Sequence, residues 1–163
     1  MDNPRWQAVY DRSTERIIGR LKKGTDLFTG IKEICRQFGV TAGQFQCMGS
    51  LTYATFHQVA KGEVEGTIVY SPKVRTSTEV ELISGLGFIG VDAVTNDLEI
   101  HFHGSFVDCF KKIDGGHFVE GENVTAITIE FMIHVMKNTV VKRRIDEEFN
   151  VPFFQFEERE GAN

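Results

Sequence analysis

The sequence predicts an α+β domain in which a largely antiparallel β-sheet packs against one main helix. Two observations favour this class. Residues 27–38 carry apolar side chains at helical spacing, whereas seven or eight other segments show patterns that are typical of strands. The chain has 163 residues, 41% of them hydrophobic, which is enough for one domain with its own core. We therefore expect a single domain over residues 1–163, with a core over about 15–137 and a C-terminal extension over 138–163.

The N-terminal part predicts a strand, a turn and then the helix. Residues 15–21 alternate between apolar and polar side chains, as a half-buried strand does. Thr25 or Asp26 can accept hydrogen bonds from the first free amides of a helix, and Gly39 is typical of the residue that follows one. The apolar stripe that would face the sheet consists of Leu27, Ile31, Ile34 and Phe38.

The rest of the chain predicts one strand after another. Gly49 and Ser50 indicate a bend or bulge, and residues 85–87 separate two predicted strands. The predicted strands that precede the histidine-rich segment are 45–48, 51–59, 67–70, 78–83 and 88–93. The last long strand, 125–135, would place five apolar side chains on one face, namely Ile127, Ile129, Phe131, Ile133 and Val135.

Three of the five histidines lie within a short part of the chain. In residues 98–106 apolar and polar residues alternate, which predicts a strand. Successive side chains of a strand point to opposite faces. His101 and His103 therefore share one face, and Phe102 points to the other.

The third histidine falls on a second predicted strand, residues 113–120. If the two strands pair antiparallel about Phe110, His103 lies opposite His117 and the phenylalanines beside them share the other face. That register brings His101, His103 and His117 together. Three neutral imidazoles can hold zinc or a similar divalent ion and leave a fourth position for water or a ligand. The alternative is that they are ordinary sheet histidines.

Charge and cysteine content limit the kinds of partner. The formal net charge is -5, so the overall field does not attract nucleic acid, and the longest basic run is residues 142–144. The three cysteines lack metal-type spacing and are odd in number, which favours reduced thiols in the cytoplasm. The N-terminal residues contain no apolar stretch of the length of a signal peptide or membrane span. The aromatic segment 151–156 fits either packing on the sheet or a subunit contact.

Several motifs together resemble the PPC domain, a family conserved in plants and prokaryotes. The most specific are the pair His101-x-His103 and the later Gly115-Gly116-His117, followed by Gly121. The other matching segments are 23–27, 48–51 and 81–85. The resemblance implies a compact α+β homotrimer whose three histidines bind a metal, commonly zinc. It also implies a fold similar to that of acetolactate decarboxylase, which uses histidine-bound zinc.

Three functions are compatible with these residues. The first is a trimeric module whose histidine site holds zinc structurally or receives a small regulatory ligand. The second is a zinc enzyme that acts on a small carbonyl compound, for which Glu130 is the first candidate acid/base group and Glu120 the second. Glu130 could equally form a salt bridge in the trimer or face solvent. The third is DNA binding, which the family label implies, although the chain lacks the Arg-Gly-Arg-Pro core of an AT-hook and would bind weakly.

Overall fold

The computed structural model describes residues 5–65, 67–149 and 151–161. Within these ranges the chain forms thirteen strands and one helix. In chain order they are β1 (Trp6–Asp11), β2 (Arg16–Lys22), α1 (Leu27–Phe38), β3 (Gly43–Leu51), β4 (Thr55–His57), β5 (Val59–Lys61), β6 (Ile68–Tyr70), β7 (Val74–Arg75), β8 (Val80–Asp92), β9 (Leu98–Asp108), β10 (Ile113–Phe118), β11 (Thr125–Val135), β12 (Thr139–Ile145) and β13 (Pro152–Glu158).

One large sheet dominates the structure. Nine of its strands run in the order β1-β2-β11-β3-β8-β9-β10-β4-β7, and all these neighbours pair antiparallel. Strand β12 pairs in parallel with the end of β8. It also pairs antiparallel with β13, and β12 and β13 together form a C-terminal hairpin. Strands β5 and β6 form a separate two-stranded sheet. The prediction of a largely antiparallel sheet with one helix is confirmed, but strands outweigh the helix so strongly that the fold is mostly β.

Helix α1 forms where its periodicity and caps predict it. The Asp26 carboxylate accepts a hydrogen bond from the Thr29 amide (2.9 Å), which satisfies a free N–H of the first turn. Gly39 ends the helix in the left-handed conformation at φ 69°. The buried residues of the helix include Phe28 and Ile31, which face the sheet.

The core lies between α1 and one face of the sheet. Phe102 is fully buried there, with its ring 6.1 Å from Phe28 of the helix and stacked 5.2 Å from Phe45 of β3. Phe118 of β10 lies on the same side, with its ring 5.3 Å from that of Phe102. The predicted placement of these two phenylalanines on one face is thus confirmed, and the neighbouring histidines point away from the helix.

The glycine segment at 85–87 does not interrupt a strand. Strand β8 runs through it without a break, so the prediction of two separate strands there is wrong. The reason is packing: a Cβ on Gly85 would lie 2.1 Å from Cζ of Phe102, so the glycine makes room for a core ring. The bend predicted at Gly49 is confirmed as a bulge, because the register between β3 and β8 shifts between Cys47 and Gly49.

Other strand predictions also differ from the structure. The segment predicted as one strand over 51–59 contains the last residue of β3, the short strand β4 and the first residue of β5. Ile127 is exposed, although its neighbours in the predicted apolar face are buried or half-buried, because the pairing of β11 with β3 shifts register between Thr125 and Ile129. Strands β1, β7, β12 and β13 were not predicted.

The side of the large sheet that faces away from α1 is here called the open face. Several large apolar side chains are exposed on it, among them Ile18, Met48, Ile83, Leu86 and Met132. A shallow apolar groove of about 390 Å³ lies among them. In the described part of the chain, no helix has the length and apolar character needed to span a membrane.

Candidate metal centre

The three predicted histidines meet on the open face of β9 and β10. His103 pairs directly with His117 across the two strands, which confirms the predicted register. One ring nitrogen from each of His101, His103 and His117 lies within 4.8 Å of the others. The Nε2 atoms of His101 and His103 are 3.0 Å apart. The arrangement follows from strand geometry alone, since residues two apart on one strand and directly opposed residues on the next share a face.

The backbone around His117 is held from both sides. His117 pairs with His103 on β9 and with His57 on β4. The two preceding glycines allow close strand contact: a Cβ on Gly115 would lie 2.2 Å from the Gly104 carbonyl oxygen, and one on Gly116 would lie 2.3 Å from the His57 carbonyl oxygen. The Gly-Gly-His sequence therefore has a structural reason, which is to let the strand of the third histidine fit between its neighbours.

The ring nitrogens are in the state that binds metal. Burial lowers the pKa of His103, and burial followed by the charges of His103 and Arg143 lowers the pKa of His101. The pKa of His117 is lowered to about 4, chiefly by burial and then by the charges of the neighbouring histidines and Arg143. The imidazoles are therefore neutral at pH 7, as ligation requires.

One nitrogen of the cluster is left without a partner. Nδ1 of His117 is buried and makes no hydrogen bond to any described residue. Burying an unpaired polar atom is costly, and such an atom in a native structure calls for a ligand or other partner. Three convergent neutral imidazoles, one of them unsatisfied, fit a divalent ion that prefers nitrogen ligands, such as zinc.

His57 and Tyr70 complete the surroundings of the cluster. The Nδ1 atom of His57 lies 2.9 Å from the Ser71 carbonyl oxygen, which fixes that ring. Tyr70 lies between the two imidazoles, with its ring 5.9 Å from His57 and 5.5 Å from His117. Sequence analysis does not single out His57, because its nearness to His117 depends on the pairing of β4 with β10.

The C-terminal hairpin reaches the same site. A small cavity beside the cluster is lined by His101 and His117 together with Arg143 of β12 and Phe153 of β13. Nη1 of Arg143 lies 3.2 Å from a carboxylate oxygen of Glu99, which is two residues before His101 on β9. Sequence analysis identified residues 142–144 only as a basic run and did not predict that Arg143 lies beside the histidines.

The two candidate acids lie elsewhere. Glu120 forms an ion pair with Lys32 of α1 (2.6 Å), and α1 lies on the other side of the sheet from the histidines. Glu130 is exposed on β11, which is separated from β9 by β3 and β8. Three strand spacings correspond to about 14 Å. Neither carboxylate is adjacent to the cluster within one chain.

Comparison with known proteins adds a family and several related folds. Residues 9–137 match the family described as the Plants and Prokaryotes Conserved (PCC) domain, which corresponds to the PPC family named above. Strands β12 and β13 lie outside the matched range. A comparison with curated proteins finds no match.

Several solved structures share this fold. A candidate DNA-binding protein from Bacteroides thetaiotaomicron is 13% identical, with a TM-score of 0.75, over 93% of this chain and 98% of that chain. A metal-containing protein from Archaeoglobus fulgidus is 17% identical, with a TM-score of 0.72, over 95% and 99%. A plant- and prokaryote-conserved (PPC) protein from Pyrococcus horikoshii is 18% identical, with a TM-score of 0.69, over 96% and 99%. At these identities the likeness concerns the fold.

Proposed function

This chain belongs to the Plants and Prokaryotes Conserved (PCC) domain family, and from that membership and its histidine cluster we propose that it binds one divalent metal ion, zinc, through His101, His103 and His117. The protein then acts as a trimeric module that receives a small ligand at the metal and has a regulatory role. The observation that carries the proposal is the convergence of three ring nitrogens within 4.8 Å.

Two further observations support zinc at this place. Nδ1 of His117 is buried without a partner among the described residues, and a divalent ion bound to this nitrogen would supply that partner. The Archaeoglobus fulgidus protein that shares the fold is described as metal-containing. Zinc held by three histidines keeps a fourth position, at which it can polarise a carbonyl group or lower the pKa of a water molecule.

Metal analysis of purified protein tests the proposal. We expect one zinc ion per chain after reloading of chelator-treated protein. His103→Ala should lose most of it, because two protein ligands seldom hold zinc. His134→Ala is the matched control, since His134 is exposed on β11, far from the cluster, and this variant should keep its zinc. Full occupancy in His103→Ala would refute the assignment.

A homotrimer is part of the proposal. The open face exposes a group of large apolar side chains around a shallow groove. Contiguous apolar patches of this kind are uncommon on monomers and usually mark an interface. We expect other copies of the same chain to cover this patch, because the resemblance to the family implies a trimer.

A zinc enzyme that acts on a small carbonyl compound is the second candidate. The cavity beside His101 and His117 favours it, because a substrate could reach the open position of a metal there. Such an enzyme also needs an acid/base group, and Glu120 and Glu130 both lie away from the histidines within one chain. The binding module is therefore the preferred function.

DNA binding is the third candidate and the weakest. The Bacteroides protein with this fold is described as a candidate DNA-binding protein. In this chain, however, Arg144 is in an ion pair with Glu157, and Arg143 lines the small cavity beside the histidines and pairs with Glu99. The run 142–144 therefore does not form an open basic surface for phosphates, and the net charge of the chain is -5. We also place the protein in the cytoplasm, which its three free cysteines support.

A further inference from the structure

The C-terminal hairpin is the part of this chain that lies beyond the family match and still touches the histidine site. It sits on the end of β8, where Lys142 pairs with Val91 and Arg143 with Asp92. The ring of Phe156 lies 5.5 Å from that of Phe88, and Phe88 pairs directly with His101 on β9. The hairpin thus packs on the open face next to the cluster.

The hairpin and the histidines together enclose a small cavity on that part of the open face. Two of the three histidines form one wall, His101 and His117, and Tyr70 contributes another side. Phe153 and Phe154 of β13 supply apolar surface opposite. The volume is about 40 Å³, compared with roughly 10–15 Å³ for one water molecule by a similar measure. The cavity therefore admits a group of only a few non-hydrogen atoms.

The single cationic side chain that lines this cavity among the described residues is Arg143. Its side chain is 27% exposed, and the one hydrogen bond that its guanidinium makes to a described residue goes to Glu99 (3.2 Å). A guanidinium has five N–H donors in a planar fork, so most of them remain available. Arg143 lines the same cavity as His101 and His117, so its charge lies beside the cluster.

We propose that the C-terminal hairpin makes the histidine site selective for a small carboxylate anion, with Arg143 as the residue that pairs with the carboxylate. This inference rests on the metal site proposed above. A bound divalent ion and Arg143 would give the cavity positive charge on two sides. The size of the cavity matches one carboxylate group, and the planar fork of an arginine matches a carboxylate better than a point charge does. The aromatic side chains of Tyr70, Phe153 and Phe154 give the rest of the lining an apolar character.

Acetate binding to the zinc-loaded protein tests this proposal, with acetamide as the neutral probe of the same shape. Isothermal titration calorimetry should show binding of acetate and none of acetamide. In Arg143→Gln the affinity for acetate should fall about tenfold or more, because a charge-assisted hydrogen bond is lost. Arg144→Gln is the matched control: it removes the same charge one residue along, where the side chain contacts Gln155 and Glu157 instead, and should bind acetate as the wild type does.

The zinc content of each protein is measured in the same samples. Absence of zinc from the wild-type protein would refute the metal site itself. Zinc retained, with equal acetate affinity in the wild type and Arg143→Gln, would refute only the role of Arg143. If Arg143→Gln does not fold, the Glu99→Gln variant tests the proposal instead. Glu99 competes with acetate for the Arg143 guanidinium, so its removal should tighten acetate binding severalfold. Equal or weaker binding in that variant would overturn the proposal, and so would equal binding of acetate and acetamide.

Discussion

Phe154 packs directly over Gly90, so closely that a Cβ at residue 90 would lie 2.6 Å from Cε1 of Phe154. The same Cβ would lie 2.7 Å from the side chain and from the carbonyl oxygen of Val141. Both strands of the C-terminal hairpin therefore rest on this one position of β8. The absence of a side chain there is what allows the hairpin to lie flat against the sheet, next to the histidines.

Gly90→Ala should detach or shift the hairpin. The added methyl group clashes with ring and backbone atoms, and overpacking of this kind costs about 1–3 kcal/mol. We expect a lower free energy of unfolding in urea and faster hydrogen exchange over residues 139–145 and 152–158. Gly85→Ala is the useful comparison: its clash is with Phe102 in the core, so it should destabilise the fold without loosening the hairpin in particular. Native exchange rates in the hairpin of Gly90→Ala would contradict this account.

The stability of the metal-free protein should fall as the pH is lowered from about 6.5 to about 4. Folding lowers the pKa of all three clustered histidines, that of His117 to about 4 from a usual 6.5. Between these values the unfolded chain binds more protons than the folded one, so acid favours unfolding, and above pH 6.5 the effect vanishes. Thermal unfolding between pH 7.5 and 4 measures it.

His117→Gln should flatten this dependence, because it removes the group with the largest resolved shift in the cluster. His134→Gln, which changes an exposed histidine on β11, should retain the wild-type slope. A midpoint temperature for the wild type that does not change between pH 6.5 and 4 would show that the histidines are not shielded from solvent as the structure indicates.

The protein should be a trimer in solution, and the open face should hold it together. Multi-angle light scattering is expected to give three times the 18.4 kDa of one chain. Met48→Glu places a charge among the exposed apolar residues of that face, where burial of an unpaired carboxylate is costly. It should shift the mass toward one chain, whereas Val94→Glu, in an exposed turn, should not. A wild-type mass near 18.4 kDa would refute the trimer.

DNA binding by this chain should be weak and sensitive to salt. We expect a dissociation constant of about 10⁻⁴ to 10⁻⁶ M for a short duplex, with little preference for sequence. The reason is the net charge of -5 and the pairing of both arginines in the run 142–144. Fluorescence anisotropy at two salt concentrations measures this. Nanomolar, sequence-selective affinity at physiological salt would mean that the assembled protein presents a basic surface.

The histidine cluster could be predicted from sequence because it depends on local rules. His101 and His103 share a face by strand alternation, and His117 follows from the register of a single hairpin. Helix α1 was predictable for a similar reason, since its periodicity and its caps at Asp26 and Gly39 all lie within one segment. No knowledge of distant pairing is needed for either feature.

The residues around the cluster could not be found in this way. His57 approaches His117 only because β4 pairs with β10, and Arg143 arrives only because the C-terminal hairpin folds back onto β8. Neither pairing leaves a periodic signal in the sequence. Gly85 was misleading for a different reason: a glycine that separates two strands and a glycine that makes room for a core ring look alike until the position of Phe102 is known.

The close strand contact at Gly115 and Gly116 has a consequence for the proposed metal site. Backbone rather than side chains sets the distances from the strand of His117 to its two neighbours: a Cβ on Gly115 would lie 2.2 Å from the Gly104 carbonyl oxygen of β9, and one on Gly116 would lie 2.3 Å from the His57 carbonyl oxygen of β4. The three histidines are therefore held in position by the fold itself, and binding of the proposed ion should require little rearrangement. Metal binding should then leave the secondary structure as it is, so the far-ultraviolet circular dichroism spectra of the metal-free and the metal-loaded protein should be the same.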